Sequence, residues 1–349
     1  MHGLRRSAVV FLPLLFCVTF AWSQAQPQHE LRIGFSIENT KGERWRTDLE
    51  EFQQRAQQLG ASVDVRSADG DDDLQFKQVT ELLASGIDVL VFMPHDTGRA
   101  GRFIEAAHAK HVPVISYDRL VSSAPVDLYV GFDLFAVGLL QAQTLVDRAP
   151  KGTYLLLGGS PLDANSKVVR AGQMKVLRPL IQKGDIKIVS DIWVPEWSAT
   201  QAYMLVAKEL RTLHTPITAI VASNDSIAGG AIQALEDKKW SGKVLVSGQD
   251  ADLAAIERLF DGTQLMTVYK SVGSEARTAA EAAVQLAKHE EVAGSTAVAN
   301  GPRTTKAILL TPVAVTEQNA KDTVFKDGFQ KIETVKQGLP KEKSAQLEK

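Results

Sequence analysis

Residues 31–67 read LRIGFSIENTKGERWRTDLEEFQQRAQQLGASVDVRS, and the fold class can be inferred from them. It opens with the short apolar segment LRIGFSI, which predicts a buried strand. Apolar residues then recur four and three positions apart, as they do on one face of an amphipathic helix. They are Trp45, Leu49, Phe52, Ala56 and Leu59. Gly60 ends the predicted helix, and SVDVRS predicts the next strand.

The same alternation of strand and helix continues along the chain. Further strands are predicted at DVLVFMP and VPVISYD and, after the segment DLYVGFD, at TYLLLGG, KIVSDIW, ITAIVAS and KVLVSGQ. This rhythm is typical of an α/β protein whose parallel sheets are covered by helices on both faces. It forms two series of similar size without a long linker. One more helix, EARTAAEAAVQLAKHE, and a late strand, KAILLTPVAV, are expected to complete the two units.

The first 25 residues have the pattern of a secretory signal peptide. Arg5 and Arg6 precede the apolar run AVVFLPLLFCVTFAW, and small residues near position 25 suit cleavage. We therefore expect an exported protein with residues 1–25 removed. The single cysteine, Cys17, lies inside this segment, so the mature chain would contain no disulfide.

Composition and motifs exclude several classes of function. The formal net charge is −2, and no basic stretch suits nucleic acid. The sequence contains neither GxGxxG nor GxxxxGK[ST], so a phosphate-binding loop is not expected. No nucleophile elbow and no set of metal ligands is apparent. We therefore expect no enzyme activity, no cofactor and no metal.

Polar side chains follow the predicted strands in both halves of the chain. In doubly wound sheets, ligands bind beyond the carboxyl ends of the strands. The candidates at these positions are Asp118, Arg119, Asp163, Asn165, Asn224, Asp225, Asp250, Asp252 and Lys270. Carboxylates, amides and guanidinium groups suit an uncharged ligand rich in hydroxyls, because each hydroxyl both donates and accepts. The sequence therefore predicts a sugar site between the two halves.

Two tryptophans are placed where their rings could pack on the apolar face of a sugar. Trp45 follows the first strand, and Trp197 follows a strand of the second half. Simpler roles are open for several candidates: Trp45 continues the apolar stripe of its helix, and Asn224 could serve only as a helix cap. Asp118 and Arg119 alone could form a solvated turn. The recurrence of such groups at strand ends in both halves favours a site.

Several segments occur in the order and spacing typical of one family. They are GERW, SYDR, GGSPLDAN, the EW of WVPEW, ASNDSIAGGAIQAL, SGQDADLAAI and TVYK. In these the chain resembles the periplasmic D-xylose-binding proteins of ABC transporters, from about residue 31 to about residue 335. The resemblance implies the ribose-binding (type I) fold, with two doubly wound α/β lobes joined by a hinge of three crossings.

The resemblance also implies which residues contact the sugar. Hydrogen bonds are expected from Arg44, Asp118, Arg119, Asp163, Asn165, Asn224, Asp250 and Lys270, and stacking from Trp45 and Trp197. The sequence departs from the family pattern at Ala164, where related chains often have a second Asn. The side chain of Ala164 is expected to point away from the sugar.

The implied lobes are residues 31–132 with 271–308 and residues 133–270 with 309–335, followed by a polar, frayed tail at 336–349. We expect the lobes to close on a monosaccharide, D-xylose in the first place, in the periplasm. A membrane permease of an ABC transporter would then receive it. D-glucose as the ligand, and a chemoreceptor or sensor kinase as the partner, are open alternatives.

Overall fold

A computed structural model describes residues 30–214 and 216–348, so the predicted signal peptide lies outside the described residues. The strands are β1 (Leu31–Ile37), β2 (Ala61–Ser67), β3 (Val89–Met93), β4 (Val114–Tyr117), β5 (Leu128–Phe132), β6 (Gly152–Gly158), β7 (Ile186–Trp193), β8 (Ala219–Ala222), β9 (Leu245–Val246), β10 (Thr267–Tyr269), β11 (Thr296–Asn300), β12 (Arg303–Leu310) and β13 (Val313–Val315). The α-helices are α1 (Glu43–Gln58), α2 (Asp72–Ala84), α3 (Gly101–His108), α4 (Leu134–Arg148), α5 (Ala164–Lys183), α6 (Ala199–Leu210), α7 (Asp225–Asp237), α8 (Leu253–Asp261), α9 (Val272–Ala287), α10 (Ile332–Gly338) and α11 (Lys341–Ser344). Pro195–Trp197 and Ala345–Glu348 form 3-10 helices, and Lys321–Phe325 forms a π-helix.

A seven-stranded sheet forms the core of the first lobe, with strand order β11-β12-β5-β4-β3-β1-β2. All neighbours are parallel except β11, which pairs antiparallel with β12. Strand β3 is buried along its whole length. Its successive side chains point to opposite faces of the sheet, as in any β-strand. Val89 and Val91 pack with α1 and α9, while Leu90 and Phe92 pack with α2 and α3. The sheet is therefore covered by helices on both faces, as predicted.

A four-stranded parallel sheet of order β7-β6-β8-β9 forms the core of the second lobe. Leu155 and Leu157 of β6 pack with α6 and α7, and Tyr154 and Leu156 face α4 and α5. A small antiparallel sheet of β10 and β13 packs against the same lobe through Val268. The second lobe is thus also doubly wound.

The chain passes between the lobes three times: after β5, after β10 and between β12 and β13. The predicted late strand proves to be two strands in different sheets. Pro312 lies between them, and proline lacks the N–H needed to continue a ladder. Leu310, two residues beyond the proposed boundary at residue 308, still pairs with Phe132 of the first sheet. The lobe boundaries as domain limits stay a proposal.

The end of the chain differs from the prediction of a frayed tail. Residues 332–338 and 341–344 are helical, and two leucines among the charged residues are buried. Leu339 and Leu347 pack with Val335 and Phe260 of the second lobe. The polar composition of the segment concealed these two apolar contacts, through which it packs on the second lobe.

None of the helices in the described ranges, 30–214 and 216–348, is both long and apolar enough to cross a membrane.

Candidate functional site

The carboxyl ends of the strands of both lobes face a cavity of about 280 Å³, close to the lower end of the range for small-molecule sites. All ten side chains predicted to contact a ligand line this cavity. They are Arg44, Trp45, Asp118, Arg119, Asp163, Asn165, Trp197, Asn224, Asp250 and Lys270. Their contacts with a ligand stay a prediction, but the sequence-based grouping of these residues agrees with their location.

The first lobe supplies four of these residues from two connections. Arg44 and Trp45 lie on the first turn of α1, directly after the loop that follows β1. Asp118 and Arg119 follow β4, whose four residues are all buried. The ends of β1 and β4 therefore determine where the backbone places these four residues.

The second lobe supplies the others, and two of them also begin helices. Asp163 is the N-cap of α5 and accepts a hydrogen bond from the backbone N–H of Asn165, and Asn224 caps α7. The helix-cap role considered from the sequence thus coexists with a position in the cavity. Trp197 follows β7, and Lys270 directly follows β10.

Several cavity residues have strained backbone conformations. Asp118, Glu196, Trp197 and Asp250 have positive φ angles of 56°, 54°, 53° and 99°. The left-handed region costs a non-glycine residue about 1–3 kcal/mol, and such residues cluster at functional sites. All four of these residues line the cavity.

Arg44 is the centre of a buried group of acids, here called the Arg44 cluster and made of Arg44, Asp48, Asp118, Asp250 and Glu275. The Nη2 of Arg44 donates to Asp118 Oδ1 at 3.0 Å and to Glu275 Oε2. Its Nη1 donates to Asp250 Oδ1 of the second lobe at 3.4 Å, and its Nε lies 3.6 Å from Asp48 Oδ2. Burial raises the pKa of Asp48 to about 7 against the opposing charge of Arg44.

Arg119 lies in a second group, here called the Arg119 cluster and made of Arg119, Glu38, Asp163 and His95. Arg119 Nη2 donates to Glu38 Oε1 at 2.7 Å, and Arg119 Nε lies 3.1 Å from Asp163 Oδ2 of the second lobe. The other oxygen of Glu38 is 3.0 Å from His95 Nδ1. Burial opposes ionisation of Glu38, but Arg119 and His95 lower its pKa.

Asp118 remains ionised although it is buried. Burial alone would raise its pKa, but Lys270, Arg44 and Arg119 together lower the pKa to about 2. Lys270 Nζ lies 3.4 Å from Asp118 and 3.2 Å from Asp250. A carboxylate with spare lone pairs therefore lies between cations of both lobes and can accept further hydrogen bonds.

The two tryptophan rings are held by close neighbours. The guanidinium carbon of Arg44 lies 4.5 Å from the centroid of the Trp45 ring. The ring of Trp197 packs on the backbone of Gly159, where a Cβ atom would lie 2.1 Å from the nearest ring carbon. Trp45 also packs against the core of the first lobe, so both roles considered from the sequence apply to it.

Direct contacts join the lobes beside the cavity. Ala164 N donates to Thr97 Oγ1 at 3.1 Å, and Asn165 Nδ2 donates to the backbone oxygen of Asp118 at 3.0 Å. Ala164, where the sequence departs from the family pattern, is absent from the cavity lining. The contacts and the paired charges show that the two lobes are closed around the cavity.

Sequence reasoning missed one cavity residue that its own rule would have found. Glu38 directly follows β1, as Asp118 follows β4, and it lines the cavity. The candidate residues were polar side chains that directly follow a strand, and Glu38 is such a residue. Its contact with Arg119 makes it part of the site.

Two further acids were missed because they lie on helices. Asp48 is three positions after Trp45 on α1, on the face that carries the apolar stripe, and it is buried. Glu275 is buried beside Ala276 and Ala279 on α9. A carboxylate at an apolar stripe position is the sequence signal that could have identified both.

The arrangement suits an uncharged polar ligand. Cationic and anionic side chains line the cavity together and largely neutralise one another, and forked groups from both lobes offer donors and acceptors. Among the residues that the structure describes, no group of three or more acidic, histidine or cysteine side chains is placed to hold a metal ion.

Comparison with known proteins agrees with this geometry. The model of the periplasmic binding protein domain matches residues 33–291. The chain belongs to the periplasmic binding protein family. The resemblance inferred from the sequence segments is thereby confirmed at the level of the family.

Two curated relatives support the narrower resemblance. A D-xylose-binding periplasmic protein of Haemophilus influenzae is 45% identical over 314 residues, which cover 90% of this chain and 95% of that protein. A D-xylose-binding periplasmic protein of Escherichia coli is 46% identical over 302 residues, which cover 86% of this chain and 92% of that protein. Both are binding proteins, in agreement with the expectation that this periplasmic binding protein is not an enzyme.

A solved structure confirms the fold class. The solute-binding protein of a carbohydrate transporter from Chloroflexus aurantiacus, in complex with D-glucose, superimposes with a TM-score of 0.81 at 30% identity. The match covers 88% of this chain and 98% of that one. Two doubly wound lobes joined by three crossings are therefore the architecture of this periplasmic binding protein.

Proposed function

We propose that this chain is the solute-binding subunit of a sugar ABC transporter. It captures a monosaccharide, D-xylose in the first place, between its two lobes and delivers the sugar to a membrane permease. The two relatives named as D-xylose-binding periplasmic proteins, each more than 40% identical, support the choice of sugar.

One observation carries the proposal: forked polar groups and two aromatic rings from both lobes converge on one cavity. Charged side chains that neutralise one another leave little net attraction for an ion. Hydroxyl groups, by contrast, both donate and accept, so each can bridge a carboxylate and a guanidinium group. A small sugar has this chemistry together with an apolar face for the rings.

The proposed roles follow from the donors and acceptors that each group offers. Asp118 and Asp250 accept hydrogen bonds from sugar hydroxyls, and Arg44, Arg119 and Lys270 donate to hydroxyl or ring oxygens. Asp163, Asn165 and Asn224 complete the polar contacts. The rings of Trp45 and Trp197 stack on the apolar face of the sugar.

The lobes close as a hinge about the three crossings. Contacts from both lobes exist together only in the closed form, so the sugar shifts the population towards closure. The permease then distinguishes the loaded, closed protein from the open one. We further propose that the protein works in the periplasm after removal of residues 1–25.

Calorimetric titration of the mature protein with D-xylose tests the proposal. Micromolar affinity, about −8 kcal/mol, is expected. Asp118→Asn should weaken binding at least about tenfold, since a charged hydrogen-bond acceptor is lost. Asp64→Asn, which breaks a surface pair with Arg66, is the matched control and should bind as the unchanged protein does. Absence of binding to D-xylose would contradict the proposal.

D-glucose is the second candidate ligand, since the structural neighbour from Chloroflexus aurantiacus binds it. D-glucose carries one hydroxymethyl group more than D-xylose and needs a larger cavity. A competition titration decides between them: D-glucose that displaces D-xylose at equal concentration would broaden the assignment to both sugars.

The delivery partner needs a separate experiment. Sugar-loaded protein should bind the permease in membrane vesicles more tightly than sugar-free protein does. Retention by a chemoreceptor or sensor kinase alone would transfer the function from transport to sensing.

A further inference from the structure

Glu275 contacts Arg44, which lines the cavity, but does not line the cavity itself. It lies on the first turn of α9, shortly after the chain crosses from the second lobe at Lys270, and it is completely buried. Glu275 is absent from the cavity lining. Its Oε2 accepts from Arg44 Nη2, the same nitrogen that donates to Asp118.

Among the side chains that the structure describes, three arginine–glutamate pairs link α1 to α9. Glu51 pairs with Arg277 and Arg55 with Glu281, each at 2.7 Å and each partly exposed. The third pair, Arg44 with Glu275, is the buried one. The two partly exposed pairs link the helices and do not contact the cavity. The buried pair also contributes to the cavity, because Arg44 lines it.

An acid lies beside every nitrogen of the Arg44 guanidinium. Nη1 faces Asp250 and Nε faces Asp48, while Nη2 is shared between Asp118 and Glu275. The guanidinium also lies over the Trp45 ring. A displacement of Arg44 would therefore move a sugar donor and disturb a stacking platform together.

We propose that Glu275 is a positioning residue for sugar binding and that it acts through Arg44. The inference rests on the proposed sugar site. Both residues lie in the first lobe, so their contact does not depend on lobe closure. The donor is held in place before the sugar arrives, which reduces the ordering that binding requires.

The carboxyl group serves as a hydrogen-bond acceptor. Burial raises the pKa of Glu275 well above its ordinary value, against the opposing charge of Arg44. A neutral acceptor of the same length can therefore take over part of the role. A neutral acceptor at position 275 therefore distinguishes positioning by a hydrogen bond from attraction between opposite charges.

The test compares Glu275→Leu with Glu275→Gln in D-xylose titrations. Leucine removes the acceptor, and the Kd should rise about tenfold or more, as expected for the loss of a hydrogen bond to a charged group. Glutamine keeps an acceptor and should recover at least about threefold of that loss. Glu281→Leu, on the same helix and opposite Arg55, is the matched control and should leave the Kd unchanged.

A double-mutant cycle separates positioning from a general structural effect. In an Arg44→Met background, Glu275→Leu should change the Kd by less than about twofold, because residues that act as a unit are not additive. An undiminished effect in that background would overturn the proposal. If the leucine variant does not fold, Glu275→Asp, which withdraws the acceptor by one methylene, replaces it in the same cycle.

The outcomes also separate the two proposals. No binding of D-xylose by the unchanged protein would reject the proposed function. Binding by the unchanged protein with an equal Kd for Glu275→Leu would reject only the positioning role.

Discussion

The two buried arginines of the cavity are both surrounded by acids, yet their surroundings differ. The Arg44 cluster combines one guanidinium with four carboxyl groups, and Asp48 and Glu275 in it are almost or fully inaccessible. The Arg119 cluster is connected to solvent: Glu38 binds both Arg119 and the partly exposed His95. His95 in turn lies 3.9 Å from the exposed Glu196 of the second lobe.

These different surroundings determine which side chains around the cavity hold protons near neutral pH. Burial raises the pKa values of Asp48 and Glu275 beside Arg44, so these two acids hold protons at pH values where exposed acids have lost them, while Asp118 stays ionised. Arg119 has fewer acids around it, and one of them, Glu38, contacts the partly exposed His95. The Arg44 cluster should therefore dominate stability and its pH dependence up to about pH 7 through Asp48, and the Arg119 cluster should respond at higher pH through His95.

The largest expected effect comes from removing each arginine in turn. Arg44→Met leaves buried carboxyl groups without their cation and should lower the free energy of unfolding by about 3–5 kcal/mol. Arg119→Met should cost less, about 1–3 kcal/mol, because Glu38 keeps His95 as a partner. Urea denaturation measures both. Equal losses would remove the distinction between the clusters.

Asp48 should make stability depend on pH. Its pKa in the folded protein, about 7, lies above its ordinary value of 3.8. Between these values the folded chain keeps a proton that the unfolded chain has released, so stability falls as pH rises. Relative to Asp48→Asn, the unchanged protein should lose about 2–4 kcal/mol between pH 4 and pH 7. Urea denaturation across this range checks it, and a constant difference would contradict it.

His95 should act in the next pH window. Glu38 raises its pKa above the ordinary value of 6.5, with smaller contributions from Glu196 and Asp72. The stabilisation is present below pH 6.5 and is lost as pH rises through the raised pKa. Relative to His95→Gln, the loss should stay below about 1 kcal/mol because water screens the site. Thermal melts from pH 6 to pH 9 measure it, and an increase with pH would refute the assignment.

Glu196→Gln should have the smallest effect. Its carboxylate is exposed, and such pairs contribute little. The Kd for D-xylose should change by less than about threefold, as measured by titration at low and high salt. A loss comparable to that of Asp118→Asn would mean that the lobes are held together at His95 and Glu196 rather than within the cavity.

The strand-end rule explains why much of the site could be predicted from sequence. Asp118, Arg119 and Asn224 follow short apolar runs, and parallel strands bring such positions to one edge of a sheet. Trp45 and Trp197 were identified by their place after a strand. The fold was accessible for the same reason, because the alternation of strands and helices is regular from residue 31 onward.

The remaining features depend on contacts that no local pattern records. Arg44 meets Glu275 across 231 positions of sequence, and a carboxylate in the apolar stripe of a helix does not indicate which distant cation it contacts. Strand β11 lies at the sheet edge and pairs with β12. Its side chains are mostly exposed, so its sequence lacks the alternation of apolar and polar residues that predicts a strand. Leu339 and Leu347 were hidden among charged residues.

The position of β12 in the first sheet has a consequence for biosynthesis. Strand β5 is parallel to β12, and Phe132 pairs with Leu310. Until the chain has been made beyond residue 310, β5 has an open edge, and pairing over so long a separation is slow. We therefore expect the first lobe to remain incomplete while most of the chain emerges from the ribosome. Late completion of the first lobe would suit the proposed export, because a polypeptide that has not finished folding can cross a membrane in an unfolded state.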